Sequence, residues 1–170
     1  MPVKIDHGGI EAARHSLKRS SEWPRVEKEH LKRQPHCVAC KPGTNTGAGL
    51  QVHHIFPFHY CVALGRPDLE LDDRNLITLC EDEAGKPGQN HHLLIGHLDD
   101  FKSSNVRVSQ DAAETFFGMT AADIKADHRW LLEKASRLKP LDQMTDEDKK
   151  DFTQAMNAAF PKLESPVPEA

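Results

Sequence analysis

Metal-grade side chains stand in a fixed order along one short stretch of this chain. Cys37-Val-Ala-Cys40 comes first, then His53 and His54 inside the apolar run LQVHHIFPF, then the strand-like NLITLC ending in Cys80, then His91 and His92. Adjacent histidines between a cysteine pair and a second strand supply ligands for one structural and one catalytic metal. The segment holding them is too short for a large enzyme fold, so the chemistry it implies is metal-assisted hydrolysis.

At 170 residues, with 38% hydrophobic, 28% charged and 6% aromatic residues, the chain can bury one modest core with helical appendages, not two large domains. No stretch approaches the roughly 18 continuous apolar residues of a membrane span, and MPVKIDHGGIEAARHSLKRS has no apolar run of signal-peptide type. The expectation is a soluble cytoplasmic protein with no membrane partner.

Four cysteines, Cys37, Cys40, Cys61 and Cys80, could form two disulfides in a secreted domain. In a reducing compartment a C-x-x-C pair is instead metal-binding or redox-active. The redox reading needs a thioredoxin-like βαβ context, which HLKRQPHCVACKPGTNTGAG does not provide, and zinc is the better assignment.

The net charge of −4 is unevenly spread: residues 1–50 carry nine Lys/Arg against five Asp/Glu, residues 51–100 three against nine. Lys18, Arg19, Arg25, Lys28, Lys32 and Arg33 surround a predicted helix and could track a phosphate backbone. A solvated helix face explains the same pattern.

The spacing predicts a helix over residues 22–33, capped by Ser20 or Ser21 and stopped by Pro35, with Trp23, Val26, His30 and Leu31 on one face. QVHHI reads as a short strand, HYCVALGRPDLELDDR as a long loop, NLITLC as a second strand, EDEAGKPGQN as a flexible loop and HHLLIGHLDDFKSSN as a helix. Thr120 with Asp123 and Thr145 with Asp148 match a capping pattern that opens helices over residues 121–138 and 146–159. Trp130, Leu131, Leu132, Ala135 and Leu138 read as a packing stripe. The fold class expected is α+β, and the prolines and charges of PKLESPVPEA predict a disordered tail.

The ordered elements W-x-x-V, CVAC, VHHIFPFH, LEL, NLITLC and HHLLIGH resemble the HNH endonucleases of bacteria and their phages, whose core is the ββα-metal (His-Me) finger. The resemblance covers residues 20–105. It implies a basic segment over 1–19, a nuclease domain over 20–105, a helical extension over 106–160 and a tail over 161–170, in a bacterial cell or phage-infected host.

By position, the resemblance makes His53 a ligand of the catalytic ion, His54 the general base, Asn75 the brace of the long loop and His92 a second ligand. Strand chemistry requires the same division, because neighbours on a strand point to opposite sides and cannot easily share one ion. His97 is a candidate third ligand. Five residues along a regular helix is about 140° of rotation from His92, so His97 joins only if the helix begins irregularly. His59 matches a recurring family position that contacts the scissile phosphate or supporting groups, and local packing explains it equally.

Family members with a zinc knuckle usually supply two cysteine pairs, whereas here His91 stands where the last cysteine would be. The structural zinc ligands are therefore expected to be Cys37, Cys40, Cys80 and His91. Cys61, read as a free thiol, is the rival fourth ligand, and His36 a weaker one.

The activity implied is single-metal hydrolysis of DNA, most simply duplex DNA, leaving 5′-phosphate and 3′-OH ends. The family's catalytic ion is often Mg²⁺, and two imidazole ligands tilt this site towards Mn²⁺, Ni²⁺ or Zn²⁺. A non-catalytic zinc module binding nucleic acid or protein is the competing reading. A zinc hydrolase acting on a small molecule would need an enclosed pocket that a small finger is poorly built to form.

Overall fold

The computed structural model describes residues 18–163, and its first regular element is the helix Trp23–Arg33. Pro24 lies in the first turn, where its missing N–H costs nothing and its fixed φ suits a helix start. Val26 and His30, four residues apart, form the buried face. The helix begins one residue later than the sequence pattern places it, and no side chain caps it. Ser20 Oγ instead accepts the Glu22 N–H at 3.2 Å, one step ahead of the helix. Two of the six basic residues are paired within the protein, Arg25 with Glu22 and Glu29, and Arg33 with Asp73.

Gln34 docks the end of this helix onto a strand. Its Oε1 accepts the Thr78 N–H at 2.6 Å and its carbonyl accepts the Thr78 hydroxyl at 2.8 Å, while the Val38 N–H donates to the Thr78 carbonyl at 3.0 Å. Those three bonds lay Cys37 and Cys40 beside the strand that carries Cys80.

The sheet has two strands, β1 (Gly49–His54) and β2 (Leu76–Glu81), paired antiparallel with Leu50 opposite Cys80, His53 opposite Ile77 and His54 opposite Leu76. β2 is buried at every position from Leu76 to Cys80, so both of its faces are covered and its sequence shows no polar alternation. The connection between the strands, expected as a loop, contains the helix Phe58–Ala63 and the 3₁₀ turns Pro67–Glu70 and Asp73–Asn75. Pro57 and Pro67 pre-set helical starts, and Tyr60, Cys61 and Leu69 give these turns something to bury.

The helix expected over HHLLIGHLDDFKSSN is a single π turn, His92–Gly96. Leu98 and Asp99 stop it with φ of 52° and 68°, a left-handed backbone that no helix continues through. The chain then returns so that the Asn105 N–H reaches the Gly96 carbonyl at 2.9 Å and Asn105 Nδ2 the Ile95 carbonyl at 3.0 Å.

The helix expected over residues 121–138 is two, Ala121–Ala126 and His128–Ala135. Asp127 divides them: its backbone is extended and its carboxylate accepts the Arg129 N–H at 2.9 Å, which starts a new helix. The packing stripe is corrected too. Trp130 is buried, but Leu131 and Leu132 are 47% and 56% exposed. The last helix, Asp146–Ala159, opens on the Thr145/Asp148 capping box as its sequence predicts.

Residues beyond 105 pack into the same core as the sheet: Phe116, Ile124, Trp130, Phe152 and Met156 join Ile77, Leu79 and Leu94. Arg66, 1% exposed, donates to Asn157 Oδ1 and the Phe160 carbonyl, both at 2.8 Å. Helices around a small two-stranded sheet make the architecture α+β. Among the described residues no helix is long and apolar enough to cross a membrane. The expected basic segment and tail fall, over 1–17 and 164–170, outside the described residues.

Candidate metal centres and the cleft beside them

Cys37, Cys40, Cys80 and His91 converge on one point, Cys37 and Cys40 from the knuckle that Thr78 anchors, Cys80 from β2, and His91 from the residue before the π turn. His91 Nδ1 lies 3.4, 3.5 and 3.4 Å from the three sulfurs, and the Cys40 and Cys80 sulfurs are 3.9 Å apart. With Zn–S near 2.3 Å and Zn–N near 2.0–2.1 Å, a tetrahedron has edges of about 3.8 Å between sulfurs and about 3.5 Å between sulfur and nitrogen. The group fits a structural metal such as zinc. His91 Nε2 donates to the Met119 carbonyl at 2.8 Å, which leaves Nδ1 as the atom with a lone pair.

Electrostatics point the same way. Burial alone would lower the His91 pKa, but the neighbouring Cys40 and Cys80 sulfurs outweigh it and raise the ring to about 10. Hydrogen bonds from Cys37 and then Cys40 draw the Cys80 thiol well below its ordinary range, while those with Cys40 and then Cys80 push Cys37 well above it. The sulfurs thus draw a positive charge to His91 Nδ1, a proton in the metal-free protein that a metal ion would displace.

Cys61 is elsewhere. It sits in the helix Phe58–Ala63, fully buried, with its Sγ donating to the Phe56 carbonyl at 3.4 Å, and burial pushes its pKa up to about 12. His36 is exposed and lies outside the four-residue group.

His53, His92 and His97 form the second group. A π turn places residues five apart on one face, so the irregular backbone brings His97 back beside His92 where a regular helix would not. Gly96 lets the turn approach closely, since a Cβ there would lie 3.1 Å from the His53 ring and press on it. The three rings stand edge to face, with centroids 4.7–5.3 Å apart.

The hydrogen bonds on the far side of two of these rings decide what the near side can do. His92 Nδ1 meets Glu81 Oε1 at 2.6 Å and His97 Nδ1 meets the Ser103 carbonyl at 2.7 Å. Both partners are acceptors, so both Nδ1 atoms carry hydrogen, and each neutral ring keeps its lone pair on Nε2. Those two Nε2 atoms face each other at 3.2 Å. Two ring nitrogens this close share either a proton or a metal ion, and two nitrogen ligands of one ion at 2.0–2.1 Å stand about 3.0–3.4 Å apart.

His54, the next residue along β1 from His53, is oriented by two contacts. Its Nε2 donates to the Glu70 carbonyl at 2.8 Å, and its ring stacks on Trp23 with centroids 4.8 Å apart. A carbonyl can only accept, so Nε2 carries the hydrogen and Nδ1 is the basic atom. Burial, helped by the charge of Arg19, pushes its pKa down to about 4 against the opposing Glu70 hydrogen bond. The imidazole is neutral at physiological pH.

Asn75 is wholly buried and makes three bonds across the connection. Oδ1 accepts the Phe56 N–H at 2.8 Å, and Nδ2 donates to the Phe56 and Leu69 carbonyls, both at 3.1 Å. Leu69 precedes Glu70, so this amide fixes the backbone whose carbonyl orients His54.

One open cleft of about 260 Å³ is lined by His53, His54, His92, His97 and His59, with Arg19 and Phe101 at its sides. Arg19 stacks its guanidinium over Trp23 and Phe58 at 4.7 and 5.2 Å. His59 is buried against Tyr60. Sequence reading did not assign Glu81, Ser103, Trp23 or Met119 to the site, because each acts through a carboxylate, a backbone carbonyl or a ring stack that no spacing advertises. Trp130, read only as packing, also donates its Nε1–H to the Leu94 carbonyl inside the π turn at 2.8 Å.

No family model, curated protein or solved structure matches this chain.

Proposed function

We propose that the chain is a metal-dependent DNA endonuclease of the HNH type, built on a ββα-metal finger with structural zinc on Cys37, Cys40, Cys80 and His91. The observation that carries the reading is that one cleft holds a three-histidine group with two Nε2 atoms 3.2 Å apart and, on the adjacent strand position, a histidine whose Nε2 is tied to the Glu70 carbonyl. A cation-binding group beside a general base is what hydrolysis of a phosphodiester needs.

A divalent ion on His53, His92 and His97 would offset the negative charge that develops on the phosphate and on the leaving 3′ oxygen. Three imidazoles favour Ni²⁺, Mn²⁺ or Zn²⁺ over Mg²⁺ at such a site. His54 takes a proton from a water molecule at Nδ1, the water oxygen bonds to phosphorus, the P–O3′ bond breaks and the leaving oxygen takes a proton from solvent water, leaving a 5′-phosphate and a 3′-OH. Glu70 holds the ring through its carbonyl, and Trp23 keeps it from turning. Arg19 gives the cleft wall a positive charge for the incoming phosphate.

Plasmid nicking tests the reading. Purified protein with Mn²⁺ or Ni²⁺ is expected to convert supercoiled DNA to open circles, and EDTA to stop it. A protein that holds zinc and binds DNA but never cuts, whatever metal is added, is the zinc-binding module instead.

A further inference from the structure

Cys80 and Glu81 are consecutive on β2, and His91 and His92 are consecutive at the start of the π turn. The two pairs meet side by side: Cys80 Sγ lies 3.4 Å from His91 Nδ1, and Glu81 Oε1 lies 2.6 Å from His92 Nδ1. Two residues of the four-ligand centre, Cys80 and His91, are thus each followed by one half of the Glu81–His92 pair, and His92 belongs to the three-histidine centre. We infer that Glu81 is a positioning residue for the cation held by His53, His92 and His97, and that it fixes the His92 ring with Nε2 turned towards the ion. This inference rests on the metal site of the proposed function and extends it to a residue outside the ligand set.

The physical case has three parts. A carboxylate on the Nδ1 hydrogen makes the opposite nitrogen more basic, and therefore a better ligand, while it holds the ring plane. Glu81 is itself held: it is the last residue of β2, opposite Gly49 in the sheet, and a Cβ on Gly88 would run into its carbonyl oxygen, so the returning loop packs tightly over it. Finally, both groups are partly shielded, with 21% and 14% of their side chains exposed, which strengthens the contact relative to a surface pair. His97 receives only a backbone carbonyl, from Ser103, on its Nδ1. Glu81 thus sets a carboxylate directly against one of the three rings, where it can tune affinity.

The test is Ni²⁺ titration by calorimetry on zinc-loaded protein, with zinc content measured in every sample. Wild type is expected to bind one Ni²⁺, and His92→Ala to lose that site. Glu81→Ala should weaken Ni²⁺ binding by about 10–100-fold. Glu81→Gln, whose amide oxygen still accepts the Nδ1 hydrogen without a charge, should fall between Glu81→Ala and wild type. Glu83→Ala, which removes a nearby charge that does not touch the histidines, should bind as wild type. Wild-type affinity in Glu81→Ala overturns the inference, and so does a Glu81→Ala protein whose weakened Ni²⁺ binding comes with lost zinc, since that is a folding defect. Absence of a Ni²⁺ site in the wild type also overturns it. A wild type that binds Ni²⁺ through Glu81 yet nicks no plasmid would instead sink the nuclease reading and leave this one standing.

Discussion

The Nε2 atoms of His92 and His97 face each other at 3.2 Å while both Nδ1 atoms are committed to acceptors, Glu81 and the Ser103 carbonyl. That relationship exists only because the backbone makes a π turn between them. Removing one of the facing nitrogens should therefore weaken the ion without disturbing the base. In His97→Ala, the metal concentration for half-maximal nicking is expected to rise at least about tenfold, the scale on which supporting contacts act, with activity returning as metal is added. A nicking curve identical to wild type would remove His97 from the ligand set.

The sulfur centre predicts its own chemistry. A purified sample should hold about one tightly bound zinc per chain, and Cys40→Ser should lose the zinc and unfold the knuckle, because metal-binding energy is folding energy in such small sites. Cys61→Ser should keep the zinc, since Cys61 is buried apart from the group and its hydrogen bond to the Phe56 carbonyl can be taken over by a hydroxyl. Metal analysis of the two variants decides it. Zinc lost from the Cys61 variant and kept in His91→Ala would reverse the ligand assignment.

Both strands, the first helix and the final helix could be read from sequence because each is a local pattern: apolar runs around His53 and Ile77, helical spacing of Trp23, Val26 and His30 before Pro35, a capping box at Thr145. The convergence of Cys37, Cys40, Cys80 and His91 was legible as an ordered set of ligand types. The π turn was not. Nothing in HHLLIGH distinguishes it from an α-helix, and its cause is long-range: Asn105 returns to the Ile95 and Gly96 backbone and Trp130 caps the Leu94 carbonyl from residues the pattern does not cover. The break at Asp127 was hidden for a different reason, since an aspartate inside a helical pattern reads as a solvated residue until its side chain is seen to cap Arg129.

Away from the metal centres, the buried Asp111 and the half-buried Glu133 bring two carboxyl groups together. Burial first, then the hydrogen bond and charge of Asp111, raise the Glu133 pKa from its ordinary 4.5 to about 7. A carboxyl whose folded pKa is raised favours the protonated form, so its contribution to stability is full below pH 4.5 and is lost as pH rises through 7. Glu133→Gln, which mimics the protonated acid, should gain stability relative to wild type between pH 6 and pH 8. Urea denaturation of both proteins at the two pH values measures this, and a stability difference that does not change with pH would show that Glu133 carries no such shift.

His54 gives the sharpest test of function, because its contacts separate chemistry from folding. Its bond to the Glu70 carbonyl is one hydrogen bond, worth about 1 kcal/mol, so His54→Ala should stay folded, zinc-bound and able to bind DNA. Under the proposed mechanism cleavage should nevertheless fall by at least ~10²-fold, since the group proposed to take the proton from water is gone. His53→Ala should fail in another way: it removes a ligand, so raising the metal concentration should restore part of its activity, whereas no amount of metal should rescue His54→Ala. The measurement is nicking rate against metal concentration for the three proteins in parallel, with EDTA-sensitive wild-type activity as reference. Wild-type-like cleavage by His54→Ala in that series would defeat the proposed mechanism, and metal rescue of His54→Ala would place this histidine among the ligands.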